Sequence, residues 1–157
     1  MNIRKNKLRI YFFICLIFPL QCLNSLELLM LKEPIQTNKA PEAIGAYSQA
    51  IKSGEFLFIS GQIPLNPETM KIVDSSFEDS VQRVILNLEN ICKEAGASLD
   101  DIVKLNIYLL DLENFETLNK IMEERFSEPF PARATVEVAR LPKDVMIEMD
   151  AIVSLVQ

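Results

Sequence analysis

The segment PFPARATVEVARLPKDVMIEMD, from Pro129 to Asp150, contains the two charged residues that most constrain this chain. Alternating apolar positions predict two β-strands here, joined by a turn that contains a proline. Arg133 follows directly after Phe-Pro-Ala, and Glu148 lies within the apolar run Val145–Met149. A cation and an anion among apolar neighbours, on strands that the sequence predicts to be adjacent, need either a partner or a function.

The composition predicts one globular domain and excludes several kinds of site. The chain has 157 residues, of which 49% are hydrophobic and 24% charged, enough for a single core. Its net charge of −6 argues against a nucleic-acid-binding surface, which is usually basic. The absence of histidine excludes Ser-His and Cys-His nucleophilic sites, His-ligated zinc and a histidine general base. Acid–base chemistry would therefore use carboxylates, Tyr, Lys, Cys or a bound water.

Residues 1–25 differ from the rest and have the layout of a secretory signal peptide, with four basic residues before the apolar run Ile10–Leu20. The run is too short for a comfortable membrane span, and no membrane span is predicted after it. An uncleaved anchor or a poorly ordered extension is the alternative interpretation. Cleavage near Ser25 would leave 12 of the 16 basic residues against 22 acidic ones. We therefore expect the secretory pathway, or an organelle imported through it, with a mitochondrial or cytosolic location as the alternative.

Hydrophobic periodicity predicts eight elements in residues 26–157. The two helices are Ser75–Ala95, with Ser75 and Glu78 at capping-box spacing, and Glu113–Phe126, with Phe115 pointing inward. Cys92 lies on the apolar stripe of the first helix, which predicts a core residue rather than a reactive thiol. The predicted strands are Leu28–Leu31, Tyr47–Lys52, Phe56–Ser60, Ile102–Leu110, Arg133–Ala139 and Val145–Val156.

This order of elements predicts an α+β fold with a single β-sheet and both helices packed on one face. Strands that are apolar on both sides predict burial on both sides. The second face of the sheet must then be covered, or it remains an exposed apolar patch. Self-association in closed cyclic symmetry would cover it.

Arg133 and Glu148 are the strongest candidates for chemistry, although each has a structural alternative. The planar guanidinium of Arg133 suits a carboxylate or phosphate ligand, but an ion pair with Glu137, Glu148 or Asp150 would also explain it. A partly buried Glu148 is either paired or able to hold and polarise a water.

Two hydroxyl-bearing residues, Tyr47 and Ser60, stand at predicted strand ends close to the glycines Gly45 and Gly61. Tyr47 and Ser60 each have a structural alternative, and Gly61, a turn residue by default, lets a ligand approach backbone N–H groups closely. The sequence contains no glycine-rich phosphate loop, no metal-ligand cluster and no dinucleotide fingerprint, so neither a metal nor a cofactor is predicted.

Four segments of the body resemble the reactive intermediate deaminase family, also called RidA, YjgF or L-PSP. They are APEAIGAYSQA (40–50), ISGQIPLNP (59–67), VQRVILNLENICKEAG (81–96) and FPARATVEVARLPKDVMIEMDAI (130–152). The last is the most specific, because it joins PAR to VEVARLP and to a strand of alternating acidic and apolar residues. The resemblance covers about residues 34–156 and leaves the N-terminal segment outside.

The resemblance implies a chorismate-mutase-like fold, a homotrimer with three clefts between subunits, and no cofactor. The implied activity is hydrolysis of 2-imino and enamine acids, such as 2-iminobutanoate and 2-iminopropanoate, to 2-oxo acids and ammonia. By the same resemblance Arg133 would bind the substrate carboxylate and Glu148 would hold the attacking water. The implied cleft-lining residues are Tyr47, Ser60, Gly61 and Asn119.

Two positions depart from the family pattern. Thr135 replaces a common cysteine two residues after the arginine. We expect its backbone to keep the substrate contact, so that activity is retained with altered packing or reactivity, and the loss of the thiol argues against thiol-dependent regulation. Ala46 replaces a common proline before Tyr47, which would loosen that loop.

Two other functions remain open at this level. Family members have also been labelled ribonucleases, which the acidic body and the absence of a basic stripe argue against. A non-catalytic trimer that binds small molecules or acts as a chaperone would use the same clefts without turnover.

Overall fold

The computed structural model describes residues 32–156 and has six strands and two α-helices. The predicted signal segment and the predicted strand Leu28–Leu31 lie outside the described residues. Within residues 32–156, no helix combines the length and apolarity needed to cross a bilayer. The strands are β1 (Lys32–Ile35), β2 (Ala50–Ser53), β3 (Phe56–Gln62), β4 (Ile102–Leu109), β5 (Ala132–Glu137) and β6 (Ile147–Ser154), and the helices are α1 (Phe77–Glu94) and α2 (Phe115–Arg125).

The strands form one mixed sheet in the order β1-β2-β3-β6-β4-β5. Strands β4 and β5 are parallel and are joined through α2, whereas every other neighbouring pair is antiparallel. Helix α1 packs against β3, β6 and α2. The predicted α+β fold, a single sheet with both helices on one face, is confirmed.

The two faces of the sheet differ sharply in burial. On the helix-covered face, alternate residues of the central strands, such as Leu57, Leu105 and Met149, are fully buried. On the opposite face, which we call the open face, Phe56 and Phe58 of β3 are 45% and 46% exposed. Within a single chain, burial on both sides is therefore not achieved, and the open face presents the apolar surface that the sequence analysis expected to be covered.

The two strands of the Pro129–Asp150 segment are not adjacent, so that prediction was wrong. Strand β6 lies between β3 and β4, and β5 lies on the far side of β4 at the edge of the sheet. The prediction assumed that consecutive strands pair directly, which is the usual outcome. Here β5 pairs in parallel with β4 after the α2 crossover, and the connection 138–146 carries the chain past β4.

Several boundaries also differ from the predicted ones. Helix α1 is capped by Ser76 rather than Ser75, because the Ser76 hydroxyl accepts a hydrogen bond from the Asp79 N–H at 3.0 Å. Phe115 is 37% exposed rather than part of the core. Cys92 is fully buried, and burial raises its pKa to about 12, which supports the prediction that it is a core residue and not a reactive thiol.

Candidate active site

The carboxylate of Glu148 rests against the backbone of Gly61. The two residues meet where β3 pairs irregularly with β6, between Ile59 and Gln62. A Cβ atom added to Gly61 would lie 1.9 Å from Glu148 Oε1 and 2.9 Å from its carboxyl carbon. Gly61 is therefore needed here because the Glu148 carboxylate occupies the space of a side chain, a reason that the sequence analysis did not find.

Tyr47 and Ser60 lie near this contact, on and beside the loop before β2. Tyr47 and Gly61 line the same small cleft, of about 30 Å³, and a Cβ atom added to Gly45 would lie 3.5 Å from the Tyr47 ring. The Ser60 hydroxyl donates a hydrogen bond to the Ser48 carbonyl oxygen at 2.7 Å. Ser60 therefore ties β3 to the loop.

The side chain of Gln49 shapes that loop, a role that was not predicted from the sequence. Gln49 is buried, its Oε1 accepts from the Thr37 N–H, and its Nε2 donates to the carbonyl oxygens of Thr37, Ala40 and Pro41. These bonds tie Gln49 to residues 37–41, and β2 begins at Ala50 rather than at the predicted Tyr47. A polar residue inside a predicted apolar strand was the available signal.

Glu148 has an unusual electrostatic environment. Its side chain is half-buried on the open face, and the pKa of its carboxyl group is raised, first by burial and second by the nearby carboxylate of Asp150. A carboxylate with a raised pKa is a stronger proton acceptor once it is ionised. Among the described residues, no salt bridge neutralises Glu148.

Arg133 lies on β5 and makes its contacts with α2. Its Nη1 donates to Asn119 Oδ1 at 2.8 Å, and its guanidinium lies over the ring of Phe115, 5.3 Å from the ring centre. None of the three carboxylates considered as ion-pair partners, those of Glu137, Glu148 and Asp150, pairs with Arg133. Glu137 accepts from the Leu112 N–H, and no salt bridge to Arg133 occurs within residues 32–156.

Arg133 and Asn119 line a cleft of about 450 Å³, together with Met122, Glu123, Phe130 and Pro131. Thr135 stands two residues further along β5 but is not among these lining residues. Its hydroxyl oxygen is buried and has no hydrogen-bond partner among the described residues. The structure thus brings Arg133 and Asn119 together at this cleft, without Thr135 among the lining residues.

The candidate residues form two clusters that do not meet within one chain. Arg133 is paired with Leu105, on the helix-covered face, whereas Glu148 is paired with Tyr108, on the open face. Two strand spacings separate β5 from β6, which is about 10 Å across the sheet. In the part of the chain that the structure describes, no group of three or more Cys, Asp or Glu side chains is arranged to hold a metal.

Comparison with known proteins decides the family. The sequence profile described as "Endoribonuclease L-PSP" matches residues 37–155. The chain belongs to this family. A RutC family protein of Pyrococcus abyssi is 55% identical over 123 residues, which are 78% of this chain and 97% of that protein. The suspected relation to RidA, YjgF and L-PSP proteins is therefore confirmed.

Two other relatives have more specific names. The protein named Reactive Intermediate Deaminase A, chloroplastic, of Arabidopsis thaliana is 45% identical over 79% of this chain and 66% of that protein. The 2-iminobutanoate/2-iminopropanoate deaminase of Dermatophagoides farinae is 40% identical over 78% and 95%.

The fold agrees with solved structures of the same family. The crystal structure of RidA from an Antarctic Psychrobacter bacterium superposes with a TM-score of 0.76 at 46% identity, covering 78% of this chain and 98% of that one.

Proposed function

We propose that this protein hydrolyses small 2-imino acids and their enamine tautomers, such as 2-iminobutanoate and 2-iminopropanoate, to 2-oxo acids and ammonia. The observation that carries the proposal is Arg133, which faces a cleft of about 450 Å³ and has no carboxylate partner within residues 32–156. The deaminase names of relatives with 40% and 45% identity support the same activity.

Arg133 would bind the substrate carboxylate. Asn119 engages one guanidinium nitrogen and the Phe115 ring supports the guanidinium plane, so the side chain is held with donors still available. A guanidinium held in this way binds a carboxylate with two parallel hydrogen bonds, which fixes both position and orientation. Met122 and Phe130 give the cleft an apolar wall suited to a short aliphatic side chain.

Glu148 would activate the water. In the proposed reaction, a water oxygen attacks C2 of the protonated imine while Glu148 accepts one of its protons. Glu148 returns that proton to the nitrogen of the resulting tetrahedral carbinolamine. The C–N bond then breaks while the hydroxyl gives its proton to Glu148 and the C=O bond forms. The 2-oxo acid and ammonia leave, and ammonia takes up the proton as ammonium. The iminium carbon is already electrophilic, so the protein mainly has to orient water and substrate.

A complete site would need two chains. Because Arg133 and Glu148 project from opposite faces of one sheet, we propose a homotrimer whose three clefts each combine Arg133 of one chain with Glu148 of the next. The exposed apolar positions Phe56, Phe58 and Val136 on the open face support such an interface. Light scattering on the purified protein would give the mass of three chains.

The test of the activity couples a threonine dehydratase to the purified protein and follows 2-oxobutanoate formation. Acceleration over buffer, lost in Arg133→Ala and in Glu148→Gln, is the expected result. The matched control is Arg83→Ala, which removes an arginine from helix α1, outside both clusters. A rate equal to that of buffer would refute the proposal.

RNA cleavage is the second candidate function, because the matching family profile carries an endoribonuclease description. The net charge of −6 weakens this candidate, since RNA binding depends on neutralising phosphates with basic residues. The test is cleavage of single-stranded RNA by highly purified protein. Cleavage that survives purification and disappears in Arg133→Ala would favour it.

We also propose that residues 1–25 direct the protein into the secretory route or an organelle. The chloroplastic name of the Arabidopsis relative supports organelle targeting within the family. Microscopy of tagged protein with and without residues 1–25 tests this, and an unchanged distribution would contradict it.

A further inference from the structure

Asp150 lies on the same strand as Glu148, two residues further along, and therefore on the same open face of the sheet. Its two carboxylate oxygens accept hydrogen bonds from Asn106 Nδ2 and from Tyr108 Oη, both at 2.8 Å. Asn106 and Tyr108 both lie on β4, opposite Asp150 and Glu148 respectively. This cross-strand arrangement fixes the position of the Asp150 carboxylate.

Both donors are neutral, which distinguishes this arrangement from a structural ion pair. Within residues 32–156, no salt bridge joins Asp150 to a lysine or arginine. Lys104 lies on the same face of β4 but is paired with Ile152. Neutral donors hold a carboxylate in place without cancelling its charge, so its field reaches the neighbouring Glu148.

We propose that Asp150 is a positioning residue for Glu148: an anion on the same face of β6, fixed by Asn106 and Tyr108, that makes the Glu148 carboxylate a stronger base. The inference rests on the proposed function and adds to it a residue that acts through Glu148.

The direction of the electrostatic effect agrees with this geometry. The pKa of Glu148 is raised by burial and then by Asp150. The pKa of Tyr108 is raised as well, chiefly by its hydrogen bond to Asp150, which favours the protonated phenol as donor. Charge on Asp150 thus acts on both neighbours in the direction that the proposed role requires.

Within residues 32–156 of one chain, the elements beside Glu148 bring one further carboxylate, that of the exposed Glu42. Opposite Tyr108 and Asn106, β5 presents Val136 and Ala134. On the β3 side, Gly61 and Gln62 carry no charge, and the loop that lines the adjacent small cleft brings Glu42 and Tyr47.

The decisive measurement is the titration of the Glu148 carboxyl carbon by NMR, in protein labelled with ¹³C at glutamate and assigned with Glu148→Gln. Asp150→Asn removes the charge and preserves the shape. We expect it to move the Glu148 midpoint to lower pH, and we expect Asp150→Glu to return it toward the wild-type value. Asp74→Asn, an exposed loop substitution with the same change in net charge, serves as the matched control and leaves the midpoint unchanged.

Tyr108→Phe separates charge from hydrogen bonding, because it removes one donor and keeps the Asp150 carboxylate. We expect the Glu148 midpoint to stay closer to wild type than in Asp150→Asn, and an equal shift in the two variants would overturn the role of charge. Thermal melting of each variant confirms that the fold is intact.

Kinetics complete the test. The acid limb of the kcat/KM profile should move to lower pH in Asp150→Asn together with the NMR midpoint, with a lower rate on the plateau. An unchanged Glu148 midpoint in Asp150→Asn would refute the inference and leave the proposed function standing. If the wild-type protein does not accelerate imine hydrolysis, the proposed function fails, and the NMR titration still decides whether Asp150 acts on Glu148.

Discussion

A methyl group at position 61 would displace the Glu148 carboxylate with little effect on the fold. In Gly61→Ala, the added Cβ would lie 1.9 Å from Glu148 Oε1, whereas an unstrained carbon–oxygen contact is about 3.3 Å. The carboxylate must therefore move by roughly 1.4 Å, the difference between these distances. Gly61 is not among the glycines with positive φ, so its backbone accepts alanine without strain.

The consequence of this displacement is a large loss of activity with a small loss of stability. Misplacement of a catalytic group by about 1 Å can cost on the order of 100-fold in rate, so we expect kcat/KM to fall by about that factor. The clashing atoms belong to the end of a flexible side chain, which can rotate away, so the melting temperature should stay close to that of wild type.

The dehydratase-coupled assay measures the loss, and thermal melting measures the stability. The matched control is Gly45→Ala, because an added Cβ at Gly45 would meet only the Tyr47 ring, at an ordinary 3.5 Å. Wild-type kcat/KM in Gly61→Ala would refute the proposed dependence on the position of Glu148. A melting temperature lowered enough to explain the lost activity by unfolding would show that Gly61 serves the fold instead.

Four more substitutions test other parts of the account. Arg133→Ala should lower kcat/KM by about 100- to 1,000-fold, as expected for the loss of a charged donor to the substrate. Thr135→Val should stay active and, by removing an unpaired buried hydroxyl, should be more stable by up to about 1 kcal/mol. Steady-state kinetics and thermal melting compare the two variants, and equal losses of activity would contradict the role of Arg133 as the substrate-binding residue. Glu148→Gln should be more stable than wild type at pH 7 by less than about 1 kcal/mol, because the ionised, half-exposed carboxylate is only partly desolvated. Since the pKa of Glu148 is raised in the folded chain, this penalty is present above the raised pKa and disappears below the ordinary value of 4.5. Denaturant unfolding of both proteins across that pH range measures the difference in stability, and a difference that does not change with pH would contradict the shift. Gln49→Ala should leave three carbonyl oxygens without their donor and destabilise the protein by about 1–3 kcal/mol. It should also raise KM more than it lowers kcat, and unchanged kinetics would show that the loop does not contribute to the site.

Local pattern was enough to predict most of the fold, because the apolar stripe of α1 and the alternation in β4 and β6 each permit one secondary structure. What failed was the pairing of strands. Nothing local to the Pro129–Asp150 segment shows that β6 pairs with β3 and β4 while β5 lies beyond β4. That order depends on contacts between residues distant in sequence, here the parallel pairing of β4 with β5.

The candidate site was predictable as a set of residues but not as a geometry. Arg133 and Glu148 stood out because charged residues among apolar neighbours need an explanation, and the family resemblance supplied possible roles. Their projection from opposite faces follows from register, which the sequence did not specify. Side chains whose partners come from other strands or loops were missed for the same reason, as with Gln49 and with the Asn106–Asp150 hydrogen bond.

The most direct test of the central claim is whether two inactive variants restore activity when their chains are mixed. Arg133→Ala and Glu148→Gln are unfolded together in equal amounts and refolded, with each variant refolded alone as the control. If every cleft combines Arg133 of one chain with Glu148 of the next, random trimers regain about a quarter of the wild-type sites, because each mixed trimer has one interface with both native residues. Activity in the dehydratase-coupled assay near that level would support the account, and activity no higher than that of either variant alone would contradict it.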